Sequence, residues 1–130
     1  MSWAIRVCDQ MFFVESKEIK KRKAELAAAP NDPASHFNLG AAYSKAGNIK
    51  KAINEFKETI KINPNSAEAH FNLGILYESL NHGEKAILHV LKAGNLFGEK
   101  NDSVNKMESR KLLKEFYKKF GFTPEDVETG

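Results

Sequence analysis

His36-Phe37-Asn38-Leu39-Gly40 returns unchanged as His70-Phe71-Asn72-Leu73-Gly74, 34 residues further along the chain. The same offset pairs Tyr43 with Tyr77, Lys51-Ala52-Ile53 with Lys85-Ala86-Ile87, and Pro30-Asn31 with Pro64-Asn65. A fixed period of this length marks a stacked helical repeat, in which each unit buries its apolar face only against its neighbours. The expected fold class is therefore all-α: an α-solenoid of stacked antiparallel helix hairpins.

Working outward, local signals divide the chain into helices. Asp32-Pro33 is a helix start, an acidic N-cap followed by proline in the first turn. That helix runs to about Ala46 and stops at Gly47-Asn48, where glycine can take the left-handed conformation. Asn48 caps the next helix, about 49–62, whose apolar stripe is Ile49, Ala52, Ile53, Phe56 and Ile60. Ser66 caps a helix over about 67–80. Asn81 then stands where Gly47 stood, asparagine being the next-best residue for a left-handed turn. A fourth helix covers about 83–97, with Ala86, Ile87, Val90, Leu91 and Ala93 inward. A fifth covers about 104–120, with Val104, Met107, Leu112, Leu113, Phe116, Tyr117 and Phe120 apolar.

Upstream, residues 15–29 read as a charged helix with a narrow stripe through Ile19 and Leu26, ended by Pro30. Downstream, Thr123-Pro124-Glu125-Asp126 resembles a further helix start, and 121–130 is expected to form one frayed turn and a flexible tail. The domain plan is an apolar segment over 1–14, a half-repeat over 15–32, repeats over 33–66 and 67–100, a capping helix over 103–120 and the tail.

Gly40 and Gly74 lie inside helices, where glycine costs about 1 kcal/mol against alanine. Ala52 and Ala86 follow each at the same separation, so Gly40 is expected to face Ala52 and Gly74 to face Ala86. Burying Leu39, Tyr43, Leu73 and Tyr77 around those crossings stabilises by roughly 1.5–3 kcal/mol per side chain, more than the glycine penalty.

These residues resemble the tetratricopeptide-repeat family: Leu39-Gly40, Tyr43, Gly47, Ala52, Phe56 and Pro64 in the first copy, and Leu73-Gly74, Tyr77, Ala86 and Ala93 in the second. His36 and His70 depart from it, standing where the family often has an aromatic, and Thr59 replaces a usual alanine. The resemblance implies a right-handed superhelix whose concave groove, lined by the first helix of each repeat, binds a peptide or protein segment. Carried over, the groove positions are Ala34, Phe37, Asn38, Ala41, Ser44 and Lys45, then Glu68, Phe71, Asn72, Ile75, Glu78 and Ser79. The asparagine amides can both donate to and accept from an extended backbone; bracing of neighbouring helices is the alternative role. Phe37 and Phe71 form either an apolar floor or part of the core. One subset of the family clamps acidic chaperone tails with a lysine where Phe37 stands and an asparagine where Ala41 stands, so this chain argues against that clamp.

Composition agrees with a binding module. The chain has 130 residues, 42% hydrophobic, with a formal charge of +3, far from the dense basic stripe of a nucleic-acid binder. The run Lys17 to Lys23 is interrupted by Glu18 and has no interleaved aromatics, so it reads as a solvated helix face. One cysteine, Cys8, excludes an intrachain disulfide framework. No stretch approaches the length of a membrane span. His36, His70, His82 and His89 lack the i, i+4 spacing of a helical two-histidine metal site. With no phosphate loop and no nucleophile elbow, the expectation is no enzyme, no cofactor, no metal and no small-molecule substrate. A cytoplasmic adaptor binding a protein partner is the main reading. A self-associating structural protein, for example a homodimer, and a peripheral membrane or nucleic-acid binder are the alternatives. Residues 1–14, with Trp3, Val7, Met11 and Val14 at helical spacing, either pack on residues 15–29 or dock elsewhere. Met11 is an alternative start to Met1.

Overall fold

The structure, a computed structural model, describes residues 15–128. The apolar segment 1–14, with its expected packing on the following helix, lies outside the described residues. Those described form seven helices: α1 (Lys17–Ala28), α2 (Pro33–Lys45), α3 (Ile49–Ile62), α4 (Ala67–Ser79), α5 (Gly83–Glu99), α6 (Ser103–Phe120) and α7 (Pro124–Glu128). No strand occurs among them. Connections of three or four residues join α1 through α6, short enough to force antiparallel neighbours. From α1 to α6 each helix packs on the next in sequence, the all-α hairpin stack expected from the period, and α7 folds back against α5.

Five of the helix starts follow one rule, while α5, preceded by His82, has no side-chain cap. Side-chain oxygens of Ser16, Asp32, Asn48, Ser66 and Asp102 each accept from a backbone N–H in the following turn, satisfying an otherwise orphaned donor. The helix ends follow another. Asn48 N–H donates to the Tyr43 carbonyl at 2.8 Å, His82 N–H to Tyr77 at 2.9 Å, and Asp102 N–H to Phe97 at 2.9 Å. This is the six-to-one Schellman closure. It requires a left-handed residue, which is Gly47 (φ 81°), Asn81 (φ 59°) and Asn101 (φ 58°) in turn. One hairpin turn is thus built three times, with asparagine replacing glycine twice, and the same closure ends α6, where Gly121 (φ 73°) lets the Phe122 N–H donate to the Tyr117 carbonyl at 3.1 Å.

The core runs along the stack through Ile19, Leu39, Tyr43, Ile53, Phe56, Leu73, Tyr77, Ile87, Val90, Leu113 and Phe116, all buried. A second cluster gathers Ala67, Ala93, Leu96 and Phe97, with Phe71 packed against it. Of the predicted α3 stripe, Ile49 and Ile60 are only partly buried, while Thr59 is 2% exposed. Its hydroxyl donates to the Glu55 carbonyl at 3.0 Å, so burying it leaves no orphan.

The mid-helix glycines differ from expectation in what they face. The nearest group to a Cβ at Gly40 is the Phe56 ring at 3.2 Å, and at Gly74 it is Val90 Cγ2 at 2.4 Å. Phe56 and Val90 are equivalent positions in the two repeats, one helical turn beyond Ala52 and Ala86. Gly40 therefore makes room for a ring rather than for a second small residue. A Cβ at Gly74 would also lie 3.2 Å from the carbonyl of Ala86, its expected partner.

Helix α6 closes the stack with Leu113, Phe116 and Tyr117, and Ser109, 1% exposed, sits against Gly94 of α5. Val104 and Met107, read as apolar members of this helix, point away from that contact and are 77% and 70% exposed. The expected flexible tail over 121–130 is more ordered than that as far as Glu128. Asp126 accepts from the Thr123 N–H at 2.7 Å, α7 forms, and Val127 packs on the core.

Candidate functional site

The three N-caps Asp32, Ser66 and Asp102 fix a common register for α2, α4 and α6. Counting from each cap, Phe37, Phe71 and Met107 occupy one position, and Asn38, Asn72 and Glu108 the next. Helix α6 thus shares the register of the two first helices, and its Asn105 reaches the depression lined by Phe71 and Asn72. Sequence reading missed this shared register because the repeat's consensus letters are absent from α6. The equal spacing from each cap was the available signal.

Two depressions lie side by side along these helices. One, of about 290 Å3, is lined by residues including Ala34, Phe37, Asn38, Thr59 and Glu68. The other, of about 220 Å3, is lined by Phe37, Glu68, Phe71, Asn72, Phe97 and Asn105. Phe37 and Glu68 belong to both. Each ring is half core and half surface. Phe37 meets Phe56 edge-on at 5.3 Å between centroids, and Phe71 rests on the second buried cluster. Both remain partly accessible, so neither ring belongs wholly to the core.

Of the residues read as groove-lining, Phe37, Asn38, Glu68, Phe71 and Asn72 are brought together. Ala41 and Lys45 are exposed outside the two depressions, as is Ile75, which is 40% exposed. Glu78 pairs with Lys119 of α6, which ties α4 to the capping helix. Phe97 and Asn105 complete the second depression and were not foreseen, since they arrive from α5 and α6.

The histidines form a second repeated construction. Nε2–H of His36 donates to the Pro30 carbonyl at 2.8 Å, and Nε2–H of His70 donates to Pro64 at 3.1 Å. Nδ1 then faces the following helix: Glu55 at 2.8 Å in the first repeat, His89 at 3.1 Å in the second. Glu55 and His89 are themselves 34 residues apart. Burial opposes charge on His36, but the Glu55 carboxylate and the Pro30 carbonyl outweigh it and raise its pKa. Burial depresses His70, and burial with the neighbouring His70 takes His89 down to about 4. Lys57, Lys85 and Lys92 add positive charge around this pair, which is hostile to a cation. Among the described residues no group of three or more His, Cys, Asp or Glu converges as metal ligands. These histidines act as latches between loop and helix.

The basic run on α1 is partly neutralised in place: Arg22 pairs with Glu18 at 2.8 Å and with Glu25 at 3.0 Å, and Lys23 pairs with Glu15. None of the described helices is long and apolar enough to cross a membrane.

Residues 42–81 match the protein family described as TPR repeat. No curated protein sequence matches the chain. Among solved structures, the chain is similar to the type III secretion translocator chaperone SycD of Yersinia enterocolitica, with a TM-score of 0.74 at 16% identity, covering 78% of this chain and 70% of that one. It is similar also to MamA in two structures, each with a TM-score of 0.56. One has 22% identity over 78% of this chain and 61% of that chain. The other has 20% identity over 85% and 81%. At these identities the likeness speaks for the fold. Residues 42–81 thus carry a tetratricopeptide-repeat match, and the capped hairpin stack around them is similar in fold to these solved structures.

Proposed function

We propose that the chain is a non-catalytic protein-interaction module that holds an extended protein segment across α2, α4 and α6. The observation that carries this reading is the pair of adjoining depressions floored by Phe37 and Phe71 and flanked by Asn38 and Asn72. Half-buried rings supply apolar area at little entropic cost, because their packing already holds them. The neighbouring amides satisfy the backbone of an extended segment that the rings alone would desolvate. The similar protein SycD is a translocator chaperone, which agrees with a partner-binding role for this fold. Replacing Phe71 and Asn72 together by alanine should abolish partner binding and leave the circular dichroism of the helices unchanged. Retained binding would remove the groove from the account.

Val104 and Met107 favour a second reading, in which two copies pair through the open face of α6. Light scattering separates the two: a monomer at micromolar concentration removes the dimer.

A further inference from the structure

We propose that the segment held in the groove carries an arginine or lysine next to an apolar side chain, and that Glu68 receives the cation. This deepens the groove reading and rests on it. Glu68 lies on the wall common to both depressions, and among the described residues it is the sole charged side chain lining either one. The polar groups around it are neutral, among them Asn38, Asn72 and Asn105. The chain as a whole carries 20 Lys and Arg against 17 Asp and Glu, so a groove with one carboxylate and no cation is distinct from the surface around it.

Glu68 is also exposed, and no ion pair or hydrogen bond engages its side chain among the described residues. By contrast Glu15, Glu18, Glu25, Glu55 and Glu78 are each held by a basic side chain of the same molecule. A carboxylate left free between two phenyl rings is suited to guanidinium. That group can donate two hydrogen bonds to the carboxylate while its plane lies against an aromatic face. An acidic segment would meet Glu68 with no cation to compensate it. An extended segment rises about 3.3 Å per residue, and the two depressions adjoin through Phe37 and Glu68. Such a segment can seat one apolar side chain on Phe37 and Phe71 and bring the next residue to Glu68.

The test selects binders to the full-length chain from a library of random dodecapeptides. Affinities of the recovered peptides are then measured by fluorescence anisotropy at low and high salt. The expected result is enrichment of Arg or Lys beside an apolar residue. Glu68→Gln should weaken the recovered peptides about three- to fivefold at low salt and very little at high salt, and Glu68→Lys should reverse the charge preference. Peptides recovered without a basic bias, or unaffected by Glu68→Gln, overturn the inference while leaving the groove reading intact. Recovered peptides whose binding survives Phe71→Ala with Asn72→Ala overturn the groove reading, and failure to recover any peptide overturns both.

Discussion

Nδ1 of His70 and Nδ1 of His89 lie 3.1 Å apart, and the equivalent atoms one repeat earlier are Nδ1 of His36 and a carboxylate oxygen of Glu55 at 2.8 Å. In both repeats the first histidine is anchored by its Nε2–H to a proline carbonyl. Neutral His70 therefore presents a bare Nδ1 and accepts from His89. Protonated His36 donates to Glu55. One latch is built twice, with opposite response to acid.

The pH dependence follows from those signs. Below about pH 6.5 an unfolded histidine takes up a proton, which the folded second repeat resists because His70 is lowered and His89 is held at about 4. Stability from this pair is thus present above pH 6.5 and is lost as pH falls towards 4. His36 is raised, so its contribution is present below pH 6.5 and is lost as pH rises through its folded value. His89→Glu copies the first repeat's latch. It should remove the acid-side loss and raise stability at pH 6 by about 1 kcal/mol. Urea unfolding at pH 7.5, 6 and 5 checks it; an unchanged slope between pH 6 and 5 counts against the latch.

Gly74 and Gly40 should respond differently to the same change. A Cβ at Gly74 would lie 2.4 Å from Val90 Cγ2, with the Ala86 carbonyl at 3.2 Å, whereas at Gly40 its three nearest atoms all belong to the movable Phe56 ring, at 3.2 Å. Alanine gains about 1 kcal/mol of helix propensity in either place. Overpacking against a neighbouring backbone costs about 1–3 kcal/mol. Gly74→Ala should therefore destabilise and Gly40→Ala should be near neutral, read as midpoint shifts in parallel urea titrations.

Gly83 couples the middle of the chain to its capping helix. A Cβ there would fall 2.5 Å from the Phe120 ring. Gly83→Ala should displace Phe120, loosen α6 and lower stability by about 1–3 kcal/mol. Hydrogen exchange should rise in residues 103–120 and not in α2. Uniform exchange across the chain would show that the contact is not local.

Asn81 occupies the left-handed turn at φ 59°. Asn81→Ala should cost about 1 kcal/mol, and Asn81→Gly should be neutral or mildly stabilising. Thermal melts of the two variants check this; equal melting temperatures would contradict the turn's role.

The repeat, the caps at Asp32, Asn48 and Ser66, and the turns at Gly47 and Asn81 were legible in the sequence because each depends on residues a few positions apart. What was not legible depends on distant partners. Gly83 reads as a helix start, and its true constraint, Phe120, comes from a helix beyond the repeats. Met107 reads as core because α6 is apolar on more than one side, and only the packing of Ser109 against Gly94 orients that helix. Phe56 and Val90 displaced Ala52 and Ala86 as the main neighbours of the glycines because the crossing lies one turn further along. For the groove, Phe37, Asn38, Phe71 and Asn72 come from the repeated pentapeptide itself, whereas Phe97 and Asn105 enter from helices that break the pattern. The His36–Glu55 latch was within reach, since the 34-residue period places Glu55 opposite His89.

The most direct measurement is backbone NMR mapping of a selected peptide on the full-length chain. Binding across α2, α4 and α6 predicts shift changes concentrated at Phe37, Asn38, Glu68, Phe71, Asn72 and Met107, and absent when Phe71 and Asn72 are alanine. Changes confined to α1, α3 and the outer face of α5, with those six residues unmoved, would contradict it.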